Sequence, residues 1–378
     1  MTIAFDAKRY FNNASGLGFY SRTLLDGLRY YYPEHHYLLY TPYNKGRLQV
    51  PTDGMRLPNT WLGRQFHPLW RSRAMTAQVK RDGVTIFHGL SHELPIGLKR
   101  AGIPSVVSMH DLIFLRFPAL YPAFDRFFYE KKYRRAAHTA DVVVAISTQT
   151  RDDLRDFFQV PADKIKIIGQ SCDAVFERLS LRYLPDREAL PLPEYPNLPV
   201  KDYLMSVGSL TPRKNWHTLL QALSILQKQG IDVPLVAVGA GNSRYAQQIR
   251  QQAVQNRLRV HWLDHHVSTA ALAGLYRRAA TMVYPSIFEG FGIPILEALT
   301  VGVPVVTTRG GCFEEVAGPA ALYAAADDAV ELAAQIERSF DNAVRQQLLA
   351  QIPEQIRPYS PEHICAEWMG VYEGLTYG

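Results

Sequence analysis

Short apolar runs alternate with stretches of helical character along almost the whole chain. In the first half the apolar runs predict strands over 3–6, 37–41, 84–88, 105–110, 142–146 and 165–168, and helices are expected over 18–31, 124–137 and 148–158. Ser147 is placed to cap the last of these helices. Residues 181–200 break the pattern with Pro185, Pro191, Pro193, Pro196 and Pro199. That proline density suits no regular element and predicts a connection between two domains. Alternation then resumes, with strands over 203–207, 235–239, 260–263, 282–285 and 303–307. Helices are expected over 215–229, 243–256, 268–278, 294–300 and 313–317, with a further one within 358–378 returning to the first domain. Alternating elements of this kind build parallel sheets covered by helices. The expected organisation is a Rossmann-like domain over 1–180, a linker over 181–200, a second Rossmann-like domain over 201–357 and the closing helix. In such sheets ligands sit at the carboxyl ends of the strands.

Length supports this division, since 378 residues exceed one ordinary core. A 47% apolar and 20% charged composition is that of a globular protein, and no apolar run reaches the roughly 18–20 residues of a membrane span. The first residues meet Asp6 at once and offer no signal-peptide core. Three widely spaced cysteines, Cys172, Cys312 and Cys365, give neither a disulfide framework nor zinc spacing. A reducing cytoplasm is the expected compartment.

The net charge of +6 is unevenly spread. Residues 1–180 carry 25 Lys/Arg against 16 Asp/Glu, whereas the rest carries 16 against 19. Two basic stretches hold aromatic residues as well. One, over 61–81, has Arg64, Arg71, Arg73, Lys80 and Arg81 with Trp61, Phe66 and Trp70. The other, over 124–135, sets Phe124, Phe127, Phe128, Tyr129 and Tyr133 among Arg126, Lys131, Lys132, Arg134 and Arg135. Two readings stand: a peripheral membrane contact, or a solvated helix face whose rings pack inward. No nucleic-acid motif accompanies the charge, so nucleic acid is not an expected partner.

Four segments are candidates for chemistry. Glu289-Gly290-Phe291-Gly292-Ile293-Pro294-Ile295-Leu296-Glu297 has the makings of a glycine-rich turn entering a helix. Pro294 suits the first helical position, and Glu297 is expected inside the first turn, where the helix dipole favours a carboxylate. An ordinary loop with a charged helix start is the alternative. Val207-Gly208 through Arg213-Lys214-Asn215 ends a strand with two adjacent cations, a pairing that suits a diphosphate. Asn13-Ala14-Ser15-Gly16-Leu17-Gly18 opens a helix with two glycines, as a phosphate loop or a plain turn would, but Ser21 denies it the third glycine of the dinucleotide fingerprint. His110-Asp111 ends an apolar strand, where the histidine either meets a reacting sugar or is buried and satisfied by backbone. No third ligand converges on His265-His266, and no metal site is expected.

Together these segments resemble the retaining nucleotide-sugar glycosyltransferases of family 4, bacterial mannosyltransferase-like members above all. The resemblance runs through nearly the whole chain, from Ser15-Gly16-Leu17-Gly18-Phe19-Tyr20 to Gly310-Gly311-Cys312-Phe313-Glu314-Glu315-Val316. Phe19 stands where the family often has Arg, and Cys312-Phe313 where a small residue and Pro are usual.

The resemblance implies a GT-B fold, α/β, with two doubly wound Rossmann-like domains facing a central cleft. It further implies transfer of a hexose, of mannose or glucose type, from a nucleoside-diphosphate sugar to a glycan or lipid-linked acceptor. Surface polysaccharide or lipopolysaccharide synthesis at the inner membrane face is the expected setting. The sugar nucleotide would be the co-substrate, with no other cofactor and no metal. By the same resemblance Arg213 and Lys214 would neutralise the leaving diphosphate, Glu289 would contact the transferred sugar and Glu297 the ribose. Gly290, Phe291, Gly292 and Ile293 would offer backbone N–H groups, with Gly16 and Gly18 in the loop near the diphosphate. His110 would meet the donor sugar, and Asp264 and His265 would lie near the base. A nucleotide-sugar epimerase and a non-catalytic sugar-nucleotide or glycan-binding subunit are the alternatives.

Overall fold

Two separate parallel sheets organise the chain in a computed structural model, which describes residues 1–180, 195, 198, 199, 202–239, 241–265 and 267–377. The chain divides into two units, the first made of Met1–Ser171 with Tyr359–Gly378 and the second of Cys172–Pro358. The expected linker, 181–200, lies almost wholly outside the described residues.

The first unit holds a seven-stranded sheet in the order β3-β2-β1-β4-β5-β6-β7. Its strands are β1 (Thr2–Asp6), β2 (His36–Tyr40), β3 (Met55–Arg56), β4 (Ile86–Gly89), β5 (Ser105–Met109), β6 (Val142–Ala145) and β7 (Ile165–Ile167). All pair in parallel, as Ile3 with Tyr37 on one side of β1 and Ile86 on the other. One face of the sheet is covered by the helices Gly16–Tyr31 and Pro361–Tyr377, through Leu24, Leu28, Trp368 and Tyr372. On the other, Trp70, Met75, Ala136, Leu154 and Phe158 close a second core. Ser147 caps the Thr148–Phe158 helix, its hydroxyl accepting from the Thr150 N–H.

A buried polar chain runs through the first of these cores. His88 joins the Tyr372 hydroxyl at 2.8 Å and Ser108 Oγ at 2.7 Å, and Ser108 meets the Tyr20 hydroxyl at 2.8 Å. Burial, with the nearby His110 adding to it, pushes the His88 imidazole down to about 3, so it stays neutral and shares its protons within this chain.

The second unit holds a six-stranded sheet in the order β10-β9-β8-β11-β12-β13. Its strands are β8 (Tyr203–Val207), β9 (Leu235–Val238), β10 (Val260–Leu263), β11 (Ala279–Tyr284), β12 (Val305–Thr308) and β13 (Ala321–Ala324), again all parallel. Residues 172–180, expected with the first domain, have their contacts here: Phe176 meets the Tyr276 ring edge-on at 6.0 Å, and Arg277 donates to the Leu179 carbonyl. In both sheets the order reverses beside the first strand, between β1 and β4 and between β8 and β11. Those reversals open a crevice at the strand ends, which is where such sheets bind ligands.

Candidate functional site

The crevice of the second sheet is lined by the loops that leave β8 and β11. After β8 the chain makes a single 3-10 turn, Pro212–Lys214, then passes through Asn215 at φ +56° into the Trp216–Lys228 helix. Asn215 is pinned there by its own amide, which donates to the Ala326 carbonyl at 2.6 Å, and its Oδ1 accepts from Thr218 at 2.8 Å. The loop after β11 is stitched to that turn. The Ile287 N–H donates to the Arg213 carbonyl at 2.9 Å, and Arg213 returns a bond to the Phe288 carbonyl at 2.5 Å. Thr308, at the end of β12, holds the same loop through the Ser286 carbonyl at 2.6 Å.

This arrangement brings Arg213, Lys214 and Glu289 into one cluster. Glu289 Oε1 lies 2.5 Å from Arg213 Nη1, 2.6 Å from Lys214 Nζ and 2.7 Å from Ser286 Oγ. Lys214 also donates to the Tyr284 hydroxyl at 2.6 Å. Burial pushes the Glu289 carboxyl up, but the charges of Lys214 and Arg213 outweigh it and hold the acid at about 2. Lys214 is pulled below its ordinary value by burial, and Glu289 opposes that. Two cations thus converge on one carboxylate in a poorly hydrated setting.

Gly292, at φ +92°, turns the chain from this cluster into the Ile293–Thr300 helix, a conformation that costs glycine little. Ile293 is the first helical residue and Pro294 the second, so Glu297 falls in the second turn; the first turn has no acid. The expected placement of Glu297 beside the positive end of the dipole is therefore corrected. Its part-buried carboxyl instead accepts from the Tyr276 hydroxyl at 3.1 Å. Burial lifts its pKa to about 7; Asp173 adds to the rise and the Tyr276 bond opposes it.

Other predicted residues are spread more widely. Asp264 and His265 follow β10, two strands away from β8. Asp264 pairs with Arg250 at 2.8 Å, and the His265 ring stacks on Tyr195 at 5.7 Å between centroids. His266 lies outside the described residues.

In the first unit the glycine loop and the strand-end histidine meet through Tyr20, whose ring stands edge-on to His110 at 4.5 Å. Gly18 is required by packing, since a Cβ there would sit 1.8 Å from the Asn13 carbonyl oxygen, whereas one on Gly16 would meet nothing within 4 Å. His110 is buried, with Nε2 on the Leu90 carbonyl at 2.8 Å, as the backbone-satisfied alternative expects. Burial takes it down to about 4, and Arg9 adds slightly to that against the Leu90 bond, so the ring is neutral near pH 7.

Several contributors were missed by the sequence reading. Tyr284 and Ser286 belong to the cluster, and both flank Pro285 immediately before the Glu289 run, where adjacency could have flagged them. Tyr276 sits on a different helix from Glu297, and nothing in its spacing announces the contact.

Known proteins show the same organisation. The model for "Glycosyltransferase Family 4" matches residues 14–174, and that for "Glycosyl transferases group 1" matches residues 195–357. "O-antigen chain mannosyltransferase B" of Escherichia coli is 31% identical over 319 residues, 82% of this chain and 79% of its own length. "O-antigen chain mannosyltransferase RfbU" of Salmonella typhimurium is 27% identical over 67% of this chain and 63% of its own length. Among solved structures, WaaG, described as a glycosyltransferase involved in lipopolysaccharide biosynthesis, superposes with a TM-score of 0.69 at 17% identity over all of both chains. Anabaena HepE does so with a TM-score of 0.73 at 18% identity over 99% of this chain and 100% of its own. Both likenesses are of fold. Matched in each half by a family model and along four-fifths of its length by a curated relative, the chain belongs to the family 4, group 1 glycosyltransferases and has the GT-B fold.

Proposed function

We propose that this glycosyltransferase moves a hexose from a nucleoside-diphosphate sugar to a glycan or lipid-linked acceptor, with retention of configuration and without a bound metal. The reading rests on one observation above others: the convergence of two cations, Arg213 and Lys214, on Glu289 at the reversal point of the second sheet. A nucleoside diphosphate is the leaving group whose growing charge such a cluster would stabilise, and two fixed cations with a helix N-terminus nearby can supply that stabilisation. The O-antigen mannosyltransferase names of the two relatives favour mannose over glucose, and bacterial surface polysaccharide as the product. Buried free thiols at Cys172, Cys312 and Cys365 fit a reducing cytoplasm.

The cluster also suggests how the donor would be held. An arriving diphosphate competes with Glu289 for Arg213 and Lys214. As the phosphates take the cations, the Glu289 carboxylate is released toward the sugar hydroxyls and positions the ring. Glu297 would take the ribose, the 290–293 backbone the sugar or phosphate oxygens, and Asp264 and His265 the base. In the first unit Gly16 would border the diphosphate and His110 the donor sugar. With Glu289 positioning the sugar through its hydroxyls, attack by the acceptor on the face the diphosphate leaves is preferred to a covalent glycosyl-enzyme, and retention follows.

Purified protein presented with GDP-, UDP- and ADP-sugars, with and without chelator, tests this reading. Binding and slow donor hydrolysis that persist in chelator are expected. Lys214→Met or Arg213→Ala should lower turnover at least about a hundredfold, the loss of a donor aimed at developing charge. Wild-type turnover in both variants would sink the donor-site assignment. Release of an altered sugar nucleotide would indicate an epimerase, and binding without any turnover a non-catalytic subunit.

A further inference from the structure

Two histidines stand at the crevice of the first sheet, and the chain holds each of them by one ring nitrogen. His92 lies in the loop after β4 and His110 follows β5, at the carboxyl ends of adjacent strands. Both are buried, 4% and 5% exposed, and their ring centroids lie 5.1 Å apart. His92 stands at φ +63°, uncommon for a residue with a Cβ and kept only where the surroundings over-determine it. They do so here. Its N–H donates to the Ser108 carbonyl at 2.9 Å, and its ring stacks on Tyr133 at 4.3 Å with 10° between the planes.

These bonds fix where the ring protons are. The His110 N–H donates to His92 Nε2 at 3.0 Å, so that nitrogen keeps its lone pair and the neutral His92 ring carries its proton on Nδ1. The Leu90 carbonyl can only accept, so His110 holds its proton on Nε2 and bares the lone pair of Nδ1. Thr150 donates to the His110 carbonyl at 3.2 Å and pins that backbone from its other side. Burial, with His110 and Arg9 adding to it, keeps His92 well below its ordinary value, and both rings are neutral near pH 7.

One donor, His92 Nδ1–H, and one acceptor, His110 Nδ1, are left over, with no partner among the described residues. Neither belongs to the buried, unpaired side-chain atoms of those residues, so both reach accessible space. An anion would meet the bare lone pair and a cation the N–H, so one of the two rings would repel either. A hydroxyl accepts from the first and donates to the second. A site that offers a hydroxyl both bonds rejects an analogue lacking it, because its own polar groups are then left unpaired.

We propose that His92 and His110 together read one hydroxyl of the donor hexose, His92 as hydrogen-bond donor and His110 as acceptor, which makes His92 a specificity-determining residue. This role rests on the assignment of His110 to the donor sugar, and adds to it a second ring and the kind of group the two would take. His92 also supports the His110 backbone, so the two contributions have to be separated by experiment.

Titration calorimetry of the full chain tests it, with GDP, GDP-mannose, and GDP-mannose in which each sugar hydroxyl in turn is replaced by hydrogen. Wild type should bind GDP-mannose more tightly than GDP, and one deoxy form should bind about tenfold more weakly than GDP-mannose. His92→Phe keeps a ring for Tyr133 but neither accepts nor donates. It should lower GDP-mannose affinity about tenfold, leave GDP affinity unchanged and lose nothing further with that deoxy form. His92→Gln, whose carboxamide can accept from the His110 N–H and donate to the sugar, should stay within about threefold of wild type. Urea midpoints check that both variants are folded, and the wild-type series does not depend on them. Absence of GDP binding would remove the donor reading and this role together. GDP binding with no gain from mannose, equal affinity for all the deoxy forms, or a deoxy loss that persists in His92→Phe would overturn this role alone. So would equal weakening of GDP and GDP-mannose in His92→Phe, which would make the ring a support of the fold.

Discussion

Replacing Glu297 by glutamine should stabilise the protein above neutral pH while impairing it as an enzyme. The carboxyl sits at about 7 in the folded chain against an ordinary 4.5, because it is buried against Tyr276 with Asp173 nearby. Between those values the unfolded chain has released its proton and the folded chain has not. Folded protein therefore binds more protons, and its stability falls as pH rises from about 4.5 to about 7, then levels. At about 1.4 kcal/mol for each tenfold change in proton affinity the full cost is roughly 3 kcal/mol. Partial exposure of the carboxyl screens it, which reduces the expectation to about 2 kcal/mol. The amide of Glu297→Gln would keep an oxygen for the Tyr276 hydroxyl and carry no charge to bury. Urea unfolding followed by tryptophan fluorescence across this range is the assay. The two proteins should match near pH 4.5, with the variant gaining up to about 2 kcal/mol by pH 8. On the proposed assignment of Glu297 to the ribose, donor binding should weaken at the same time. A variant equal to or less stable than wild type at pH 8 would refute the reasoning, since it would mean that Glu297 ionises without penalty.

Other expectations are open to simple tests. Glu289→Gln leaves Arg213 and Lys214 facing one another, so it should cost about 2–3 kcal/mol at neutral pH. Because Glu289 is held at about 2, its contribution is present above about 4.5 and lost as pH falls through about 2, and urea midpoints of variant and wild type should converge there. Gly18→Ala forces a methyl onto the Asn13 carbonyl and should cost about 1–3 kcal/mol in thermal or urea unfolding. Gly16→Ala, with open space around it, should leave stability unchanged and lower donor affinity, measured by nucleotide titration.

Much of the fold was legible because its strands are apolar runs separated by helical stretches. The exceptions are instructive. β3 is only Met55–Arg56, too short to make a run, and is held by its pairing with Leu39 and Tyr40. β13 reads Ala-Leu-Tyr-Ala, a sequence as good for a helix, and only its pairing with β12 makes it a strand. In the candidate site, Arg213, Lys214 and Glu289 could each be named from local sequence, but not their mutual contact. That depends on β8 and β11 lying side by side, which no local pattern encodes. Glu297 shows the same limit at finer scale. One residue of difference in where the helix begins takes it out of the first turn, and burial rather than the dipole then governs its carboxyl.

The Pro361–Tyr377 helix completes a core whose other members, among them Phe5, Leu24 and Leu28, come from the start of the chain. A ribosome therefore makes the two parts of that core far apart in time. At about 5–20 residues per second, the intervening residues 172–358 take roughly 10–40 s to synthesise. Throughout that interval one apolar face of the first unit's sheet is covered only in part, by the Gly16–Tyr31 helix, while the second unit has all its own residues and can fold as they emerge. The half that was made earliest is thus the one whose core is completed last.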